Sequence, residues 1–472
     1  MKKTSTADFL MEKLRGHKDL TLYEQVRLPL LLSLPSIFAQ ISSIMMSYID
    51  ASMVGSLGAN DSASIGLVST STWLFGNVCS AICVGFTVQV ANLIGASREK
   101  DARNVMKQGF FVSMLFSLLL TVIAAAISRP LPGWLGGNPD IRQNAFLYFL
   151  VFALSLPVRQ LDNLTSGMLQ CSGNMRIPGA GHIAMCFLDI LFNALLIYPS
   201  GTHTVFGLTF RFPGAGLGVV GAALGTTLAE LCVSLYMLWF LLRRSPSMRL
   251  KAGEKLRLIP EQIRRAVRIA LPIGFEGFVT CAAQVTSTII VAPLGTAAIA
   301  ANSFAITAEA LCYKPGYGIG SAATTLIGQS IGAGRKDYAK RLSNVCTLLG
   351  VGIMTTLGIA MYIFAPQMIG LLTPVDEIRD LGAAVLRIEA FAEPLYAASI
   401  VASGALRGAG DTLIPSCLNF LSMWAVRIPV AAILAPMIGL KGVWIAMAVE
   451  LSVRGILFLY RLLRGKWLNK ID

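Results

Sequence analysis

Long apolar stretches separated by short polar breaks run from about Leu28 to Leu463. A helix needs about 20 mainly apolar residues to cross the hydrocarbon core of a bilayer. We predict twelve spans, near residues 28–57, 62–95, 105–128, 144–172, 177–198, 215–242, 266–294, 298–331, 338–364, 379–408, 412–436 and 438–462. Several of them exceed the thickness of the core, so we expect helices that tilt or bend at proline and glycine.

The composition agrees with this pattern. Of the 472 residues, 55% are hydrophobic and only 14% are charged, whereas soluble domains carry roughly a quarter charged residues. The mean hydropathy is +0.67. We therefore predict an all-α polytopic membrane protein whose chain lies almost entirely in or beside the bilayer.

The positions of the basic residues indicate how the chain is oriented in the membrane. A net charge of +14 would suggest nucleic acid as a partner for a soluble protein, but here Lys and Arg gather in alternate breaks between apolar stretches. These basic positions include Arg98, Lys100, Arg103, Lys107, Arg176, Arg335, Lys336, Lys340, Arg341, Arg407, Arg461, Arg464 and Lys466. The positive-inside rule then predicts an inner-membrane protein with both termini in the cytoplasm and no nucleic-acid partner.

The halves of the chain repeat each other at a constant offset of 237 residues. Leu34-Pro35 falls on Leu271-Pro272, Ile94-Gly95-Ala96 on Ile331-Gly332-Ala333, Ser166-Gly167 on Ser403-Gly404, and Ile177-Pro178 on Ile414-Pro415. Each copy has six spans, so both enter the membrane in the same direction. We predict two parallel repeats with a cleft between them, as in transporters that rock around a central site.

The repeat defines the expected domains. They are a cytoplasmic tail at 1–27, an N-lobe at 28–242, a cytoplasmic linker at 243–265, a C-lobe at 266–463 and a second tail at 464–472. The first 27 residues are polar and charged and are not followed by a cleavage site, so we expect a retained tail rather than a signal peptide. An extra loop, Tyr198 to Pro213, is present only in the N-terminal copy.

Four small-residue motifs carry a family resemblance. They are Asp50 to Gly58, Gly218 to Thr226, Gly318 to Ala333 and Gly404 to Asp411. Together they resemble the multidrug and toxic compound extrusion (MATE) transporters, over about Leu28 to Arg464. The resemblance implies a secondary active antiporter that exports amphipathic or cationic drug-like compounds or metabolites in exchange for H⁺ or Na⁺. We expect a monomer with a small-molecule substrate and no cofactor beyond the coupling ion.

Acidic residues within the spans are the candidate machinery. A carboxylate inside the bilayer costs several kcal/mol unless it is paired, hydrated or protonated, so each is a functional candidate. Asp50 ends the first span without a basic neighbour in sequence, and Asp189 and Asn193 lie one turn apart on the fifth. Their repeat counterparts, Ser287, Val426 and Val430, are uncharged.

The resemblance extends to these positions. The DinF-like branch of the family has a coupling site made of an acidic residue on helix 1, an Asn/Asp pair on helix 5 and a threonine on helix 6. Asp50, Asp189, Asn193 and Thr226 match it, although Asp189 here precedes Asn193 and the branch usually has the reverse order. The alternative is that these are hydrated carboxylates that only tie helices 1, 5 and 6 together.

The C-lobe carries its own acidic residues. Glu276, Glu309, Glu389 and Glu393 are candidates for the substrate pathway, and Glu276 in particular could attract a cation or serve only as a polar packing residue. Other charges are expected to be structural, with Arg159 and Asp162 paired at i+3 and Glu450 and Arg454 paired at i+4. Arg427 has no local partner, and we expect it to meet a C-lobe glutamate.

Other functions fit less well. A flippase for a lipid-linked substrate is the main alternative, but it would need a cationic cavity, and the N-lobe spans hold few basic residues. The chain has three histidines and no phosphate loop, zinc motif or nucleophile elbow, which argues against an enzyme. The nine cysteines contain no CxxC pair, so we expect neither a metal site nor disulfides. A channel or a passive scaffold remains open.

Overall fold

The computed structural model describes residues 6–205, 208–251 and 253–469. Its first half contains helices α1 (Thr6–Arg15), α2 (Leu22–Gly55), α3 (Ala59–Gly95), α4 (Glu99–Ser128), α5 (Leu131–Trp134), α6 (Pro139–Cys171), α7 (Arg176–Ile197) and α8 (Gly218–Arg243), with strands β1 (Pro199–Val205) and β2 (Leu208–Ala215) before α8.

The second half is helical throughout its main elements. It contains α9 (Pro260–Val291), α10 (Thr296–Gly332), α11 (Lys336–Gly370), α12 (Asp376–Ala390), α13 (Glu393–Gly408), α14 (Leu413–Leu421), α15 (Ile428–Ile438) and α16 (Leu440–Arg464). A 3₁₀ turn, Ala292–Leu294, follows α9, and another, Lys466–Asn469, follows α16.

The twelve predicted spans are present. Ten helical segments of the described chain are long and apolar enough to cross a membrane, and α10 and the pair α12–α13 occupy the two remaining positions. The tenth span is broken at Phe391 and Ala392, just before Pro394, where proline cannot donate the backbone hydrogen bond of a continuous helix. The eleventh is continuous through a π-helical segment, Ser422–Arg427, before Pro429.

The two copies of the repeat meet at equivalent glycines. A Cβ atom on Gly95 of α3 would collide with the backbone of Gln329 in α10, and a Cβ atom on Gly332 would collide with the backbone of Asn92 in α3. Because the two positions are 237 residues apart, the same small residue brings the two helices together from each side. The predicted duplication is thus visible as a symmetric crossing.

Helices of each lobe pack against helices of the other lobe. The first span, α2, packs against α10, and α3 packs against α9. Gly318 of α10 lies against the backbone of Ser36 and Ile37, where a Cβ atom would come within about 3 Å. A shift of α2 therefore changes both its own lobe and the contact between the lobes.

The N-terminal tail is more structured than expected. Helix α1 buries Ala7, Leu10, Met11 and Leu14 on one face, a spacing typical of an amphipathic helix. The first span begins at Leu22 rather than residue 28, because Thr21 and Glu24 form a reciprocal capping box. Both features lie at one end of the molecule, which we call the basic face because it also carries the basic loops and the linker.

Helix α1 joins the two lobes at the basic face. The guanidinium of Arg15 donates to Gln329 Oε1 of the C-lobe at 2.9 Å and to the carbonyl of Ser172 in the N-lobe at 3.1 Å. Gln329 itself is fully buried and donates to the carbonyl of Cys171 at 2.6 Å. These contacts hold the lobes together at this face.

The linker runs between α8 and α9 and is anchored on α4. Arg103 donates to both oxygens of Glu254, at 2.8 Å for the closest pair, and Asn104 bonds the backbone of Arg257 in both directions. The hydrogen bonds from Arg103 hold the pKa of the Glu254 carboxyl below its usual range. The third span, α4, begins at Glu99 rather than residue 105, and its first turns serve as the docking surface for the linker.

The extra loop of the N-lobe forms a hairpin. Strands β1 and β2 pair antiparallel, with Gly201 opposite Phe212 and Val205 opposite Leu208. The serine hydroxyl of Ser200 bonds the backbone of Gly214. The hairpin is an exception to the otherwise helical architecture, and it lies at the end of the molecule opposite the basic face.

Candidate functional site

Two carboxylates and an amide meet inside the N-lobe. The amide nitrogen of Asn193 donates to Asp50 Oδ1 at 2.8 Å and to Asp189 Oδ2 at 3.0 Å. The hydroxyl of Thr226 donates to the carbonyl of Ala222 at 3.2 Å and lies near Asp189. We call Asp50, Asp189, Asn193 and Thr226 the upper cluster. The structure thus brings together the four residues that the resemblance singled out, from α2, α7 and α8.

Small residues let these helices approach closely. A Cβ atom on Gly225 of α8 would collide with the Asn193 side chain, and one on Gly221 would collide with the backbone at Leu196. Gly179 of α7 likewise lies against the backbone of Pro35 in α2, at 2.7 Å for an added Cβ atom. The glycines therefore hold α7 between its neighbours and fix the separation of the upper-cluster side chains.

The upper cluster keeps unused hydrogen-bonding capacity. Asp189 and Asn193 are fully buried, and Asp189 Oδ1 and Asn193 Oδ1 have no hydrogen-bond partner among the described residues. Unsatisfied buried oxygens are costly. Oxygen atoms of this kind are the ligands that hard cations prefer, and a carboxylate can equally take a proton.

Asp50 and Thr226 of the upper cluster line a cavity within the N-lobe, whereas the fully buried Asp189 and Asn193 do not reach its wall. The cavity has a volume of about 430 Å³ and is bounded by α2, α3, α6, α7 and α8. Its walls combine polar groups with the large side chains of Met46, Trp73, Tyr148, Phe152 and Met185. A cavity of this size and mixed lining is in the range that holds a drug-sized molecule.

A second set of charged side chains faces the same cavity closer to the basic face. Arg159 and Asp162 of α6, His182 of α7 and Glu230 of α8 line it, and we call them the lower cluster. His182 precedes Asp189 by seven residues, and Glu230 follows Thr226 by four. Those spacings place the two clusters on the same faces of α7 and α8, one to two turns apart.

The expected pairing of Arg159 with Asp162 is wrong. Arg159 forms a salt bridge with Glu230 at 2.9 Å, and its guanidinium lies over the ring of Phe152. Helix α8 packs against α6 and presents Glu230 to the guanidinium, so Glu230 takes the place of the i+3 carboxylate. Sequence reasoning missed Glu230, although a glutamate one turn after Thr226 inside an apolar helix was a usable signal.

A second cavity lies between the lobes. Its volume is about 490 Å³, and it shares Trp73, Ser80 and Asn163 with the N-lobe cavity. Glu276 and Glu309, two of the four C-lobe candidates, line it. Glu276 is already engaged, since it accepts hydrogen bonds from Asn419 at 2.6 Å, Ser416 at 2.8 Å and Arg407 at 3.2 Å.

The other two C-lobe candidates lie elsewhere. Glu389 and Glu393 are fully buried, do not line the interlobe cavity, and have no hydrogen-bond partner for any of their carboxylate oxygens among the described residues. The expected pair of Glu450 and Arg454 is confirmed at 3.1 Å. Arg427 contacts the sulfur of Met447 rather than a glutamate carboxylate.

Within the described part of the chain, no group of three or more His, Cys, Asp and Glu side chains is arranged to hold a metal ion. The nine cysteines are unpaired in the structure. The oxygen-rich upper cluster is instead suited to a proton or a small hard cation.

The family of the chain follows from a match to a protein-family profile. The profile of the MatE family matches residues 35–195 and 272–433, which is one match in each lobe. The chain belongs to the MatE family. Since the members of this family are transporters, the protein is a membrane transporter of small molecules and not an enzyme.

Individual relatives span almost the whole chain. This chain is 26% identical over 441 residues to the probable multidrug resistance protein NorM of Thermotoga maritima, and the alignment covers 92% of each of the two chains. It is 24% identical over 461 residues to the multidrug resistance protein MdtK of Yersinia pestis, covering 94% of this chain and 96% of the relative.

Solved structures share the fold of this MatE-family chain. A MOP-superfamily transporter from Pyrococcus furiosus superimposes with a TM-score of 0.87 at 20% identity, covering the whole of both chains. A MATE transporter from Vibrio cholerae gives a TM-score of 0.83 at 17% identity, over 97% of this chain and 98% of that one. At these identities, the likeness establishes the two-lobe architecture alone.

Proposed function

We propose that this MatE-family protein is a secondary active antiporter that exports amphipathic or cationic drug-like compounds or metabolites. It exchanges them for H⁺ or Na⁺ by alternating access, and the upper cluster is its coupling site. The names of the multidrug resistance relatives support the substrate class. The observation that carries the proposal is the Asn193 amide bridging Asp50 and Asp189 beside a cavity.

Two carboxylates held together in a membrane repel each other unless a cation neutralises them. A proton shared between Asp50 and Asp189 would do so, and so would Na⁺ bound by the oxygens of these residues with Asn193 Oδ1. Either cation changes the charge of the cavity and with it the affinity for a cationic substrate.

Helix α2 provides the connection to the lobes. Asp50 lies on α2, and the same helix contacts α10 of the C-lobe near Gly318. Neutralising Asp50 changes how α2 packs on α7, so the interlobe contact is altered along with it. The hydrogen bonds from Arg15, Gln329 and Ser321 at the basic face are among those that must break when that face opens.

The test is uphill transport in proteoliposomes. A fluorescent organic cation should leave the vesicles against its gradient when a pH gradient or, separately, a sodium gradient is imposed. The double variant Asp50→Asn, Asp189→Asn should lose uphill export while remaining in the membrane. Asp61→Asn is the matched control, since Asp61 in the same lobe bonds Asn144 and faces neither cavity. Gradient-driven export by the double variant would refute the assignment.

The orientation and assembly are part of the proposal. The basic face carries both ends of the described chain, so the positive-inside rule places that face in the cytoplasm of an inner-membrane protein. Alkaline phosphatase fused within the linker should then be inactive, whereas a fusion after Pro213 should be active. Because the cavities lie within one chain, we propose that a monomer suffices for transport.

The flippase alternative has less support. A diphosphate-linked lipid would need unpaired cations at the cavity wall. Arg159 of the N-lobe cavity is paired with Glu230, and in the interlobe cavity Arg407 is paired with Glu276 and Arg454 with Glu450. Arg427 also lines the interlobe cavity and contacts Met447 rather than a carboxylate, but a single arginine is a weak match for the charge of a diphosphate. The multidrug resistance relatives also favour export of small molecules.

A further inference from the structure

We propose that Asp162 in the lower cluster receives the positively charged group of an organic cation, at a position separate from the ion-coupling residues. The inference rests on the proposed export of cationic compounds and names the residue that would recognise them. Arg159 and Asp162 do not form the salt bridge that their spacing predicts. Because Arg159 pairs with Glu230, it leaves Asp162 without its expected neutralising partner.

Asp162 is a buried carboxylate that can still accept a hydrogen bond or pair with a cation. Its side chain is more than nine-tenths buried, it lines the N-lobe cavity, and Oδ1 has no hydrogen-bond partner among the described residues. The groups that face it are His182 and Arg159. A buried carboxylate of this kind is stabilised strongly by any cation that the cavity admits.

The walls of the cavity suit an organic cation better than a metal ion. Trp73, Tyr148 and Phe152 supply aromatic surface, and Met46 and Met185 supply polarisable thioethers. Aromatic faces attract organic cations, and methionine adapts to apolar bodies of different shape. The lower cluster lacks the ligand arrangement that a metal would need, as judged over the described residues.

The charges of the lower cluster agree with this assignment. Arg159 and Glu230 cancel as an ion pair, and His182 bonds the hydroxyl of Ser166 at 3.3 Å. Asp162 is then the source of net negative charge at this level of the cavity. The upper cluster lies one to two turns away along α7 and α8, so a substrate cation and a coupling ion can occupy different positions in one cavity. Mutual repulsion would favour their exchange.

The experiment measures equilibrium binding to purified protein in detergent, with no ion gradient. The probes are radiolabelled tetraphenylphosphonium and tetraphenylborate, which have nearly the same shape and opposite charge. The wild-type protein should bind the cation and discriminate against the anion. Asp162→Asn should weaken cation binding by about ten- to a hundred-fold, the range that a charged contact supplies.

Three variants sharpen the result. Asp162→Glu keeps the charge and should stay within several-fold of wild type, and Asp61→Asn should have no effect. If Asp162→Asn does not fold, as judged by gel filtration and thermal unfolding, Asp162→Ser installs the residue of the C-lobe equivalent, Ser399.

The outcomes separate this inference from the proposed function. Wild-type affinity in a folded Asp162 variant, or equal binding of both probes by the wild-type protein, would overturn the role of Asp162. Neither result depends on transport, so failure of gradient-driven export would instead overturn the antiport proposal. A loss of cation binding confined to the Asp162→Asn and Asp162→Ser variants would support the site.

Discussion

The N-lobe and the C-lobe each carry acidic or amide side chains at positions where the equivalent residue of the other lobe is neither acidic nor an amide. In the N-lobe, Asp50, Asp189 and Asn193 correspond to Ser287, Val426 and Val430, and in the C-lobe, Glu309, Glu389 and Glu393 correspond to Thr72, Phe152 and Leu156. The duplicated glycines keep the helices in equivalent places, whereas the polar side chains have diverged. Backbone symmetry and chemical asymmetry therefore coexist in one molecule.

The surroundings of the acids differ as well. The upper cluster of the N-lobe meets an amide and a hydroxyl, with no arginine in contact with it among the described residues. In the C-lobe, Arg427 and Arg454 lie near Glu309, and Arg454 is bonded to Glu450. The C-lobe thus offsets part of its negative charge with arginines, although Glu389 and Glu393 have no hydrogen-bond partner among the described residues, while the upper cluster has no arginine to offset its charge. We expect coupling to depend on the N-lobe.

The largest effect should come from giving the N-lobe the C-lobe residue. Asn193→Val removes the amide that bridges Asp50 and Asp189 and leaves both carboxylates short of a donor. Loss of a bond to a charged group costs about 1.5–3 kcal/mol, so uphill export in proteoliposomes should fall at least about tenfold. The reciprocal variant, Val430→Asn, is the control and should export normally. Equal losses in the two variants would mean that the lobes are not chemically distinct.

The second prediction concerns the symmetric crossing. Gly95→Ala and Gly332→Ala should each destabilise the folded protein by about 1–3 kcal/mol, because each added methyl group meets the backbone of the other helix. Thermal unfolding in detergent should show similar losses for both, in contrast to the unequal effects at Asn193 and Val430.

Gly352→Ala is the control for this pair. Gly352 lies in α11 with open space around an added Cβ atom, and alanine favours the helix there. Its stability should be unchanged or slightly higher. A large loss at only one of Gly95 and Gly332 would contradict the symmetric contact.

These comparisons also show what the sequence could and could not predict. The spans and the repeat follow from patterns within single helices and from a constant offset between them, whereas the grouping of Asp50, Asp189, Asn193 and Thr226 into one site followed from the resemblance to the MATE transporters. The pairing of Arg159 with Glu230 depends on how α6 and α8 face each other, which no local spacing reveals. The helix at Thr6–Arg15 is not evident from the overall hydropathy, because its four buried apolar residues lie among many charged ones. The spacing of Leu10, Met11 and Leu14 is nevertheless that of one face of a helix.

A smaller effect is expected where α1 joins the lobes. Arg15→Gln should lose the bonds to Gln329 and Ser172 and speed amide hydrogen exchange within α1 by several-fold, corresponding to about 1 kcal/mol. Lys13→Gln is the control, because Lys13 bonds Glu24 of the adjoining α2 rather than both lobes. Unchanged exchange in Arg15→Gln would mean that the buried face of α1, rather than Arg15, holds it in place.

The smallest effect should come from the linker, where the chemistry is exposed to water. Glu254 is partly exposed, and its bonds from Arg103 lower its pKa, so its stabilising contribution is present above the ordinary carboxyl pKa and is lost as the pH falls through the lowered value. Solvent screening keeps that contribution small. Limited proteolysis should cut the linker slightly faster in Glu254→Gln than in the wild-type protein at neutral pH, and the difference should vanish in strong acid. A difference that persists unchanged at low pH would show that the charge of Glu254 is not what anchors the linker.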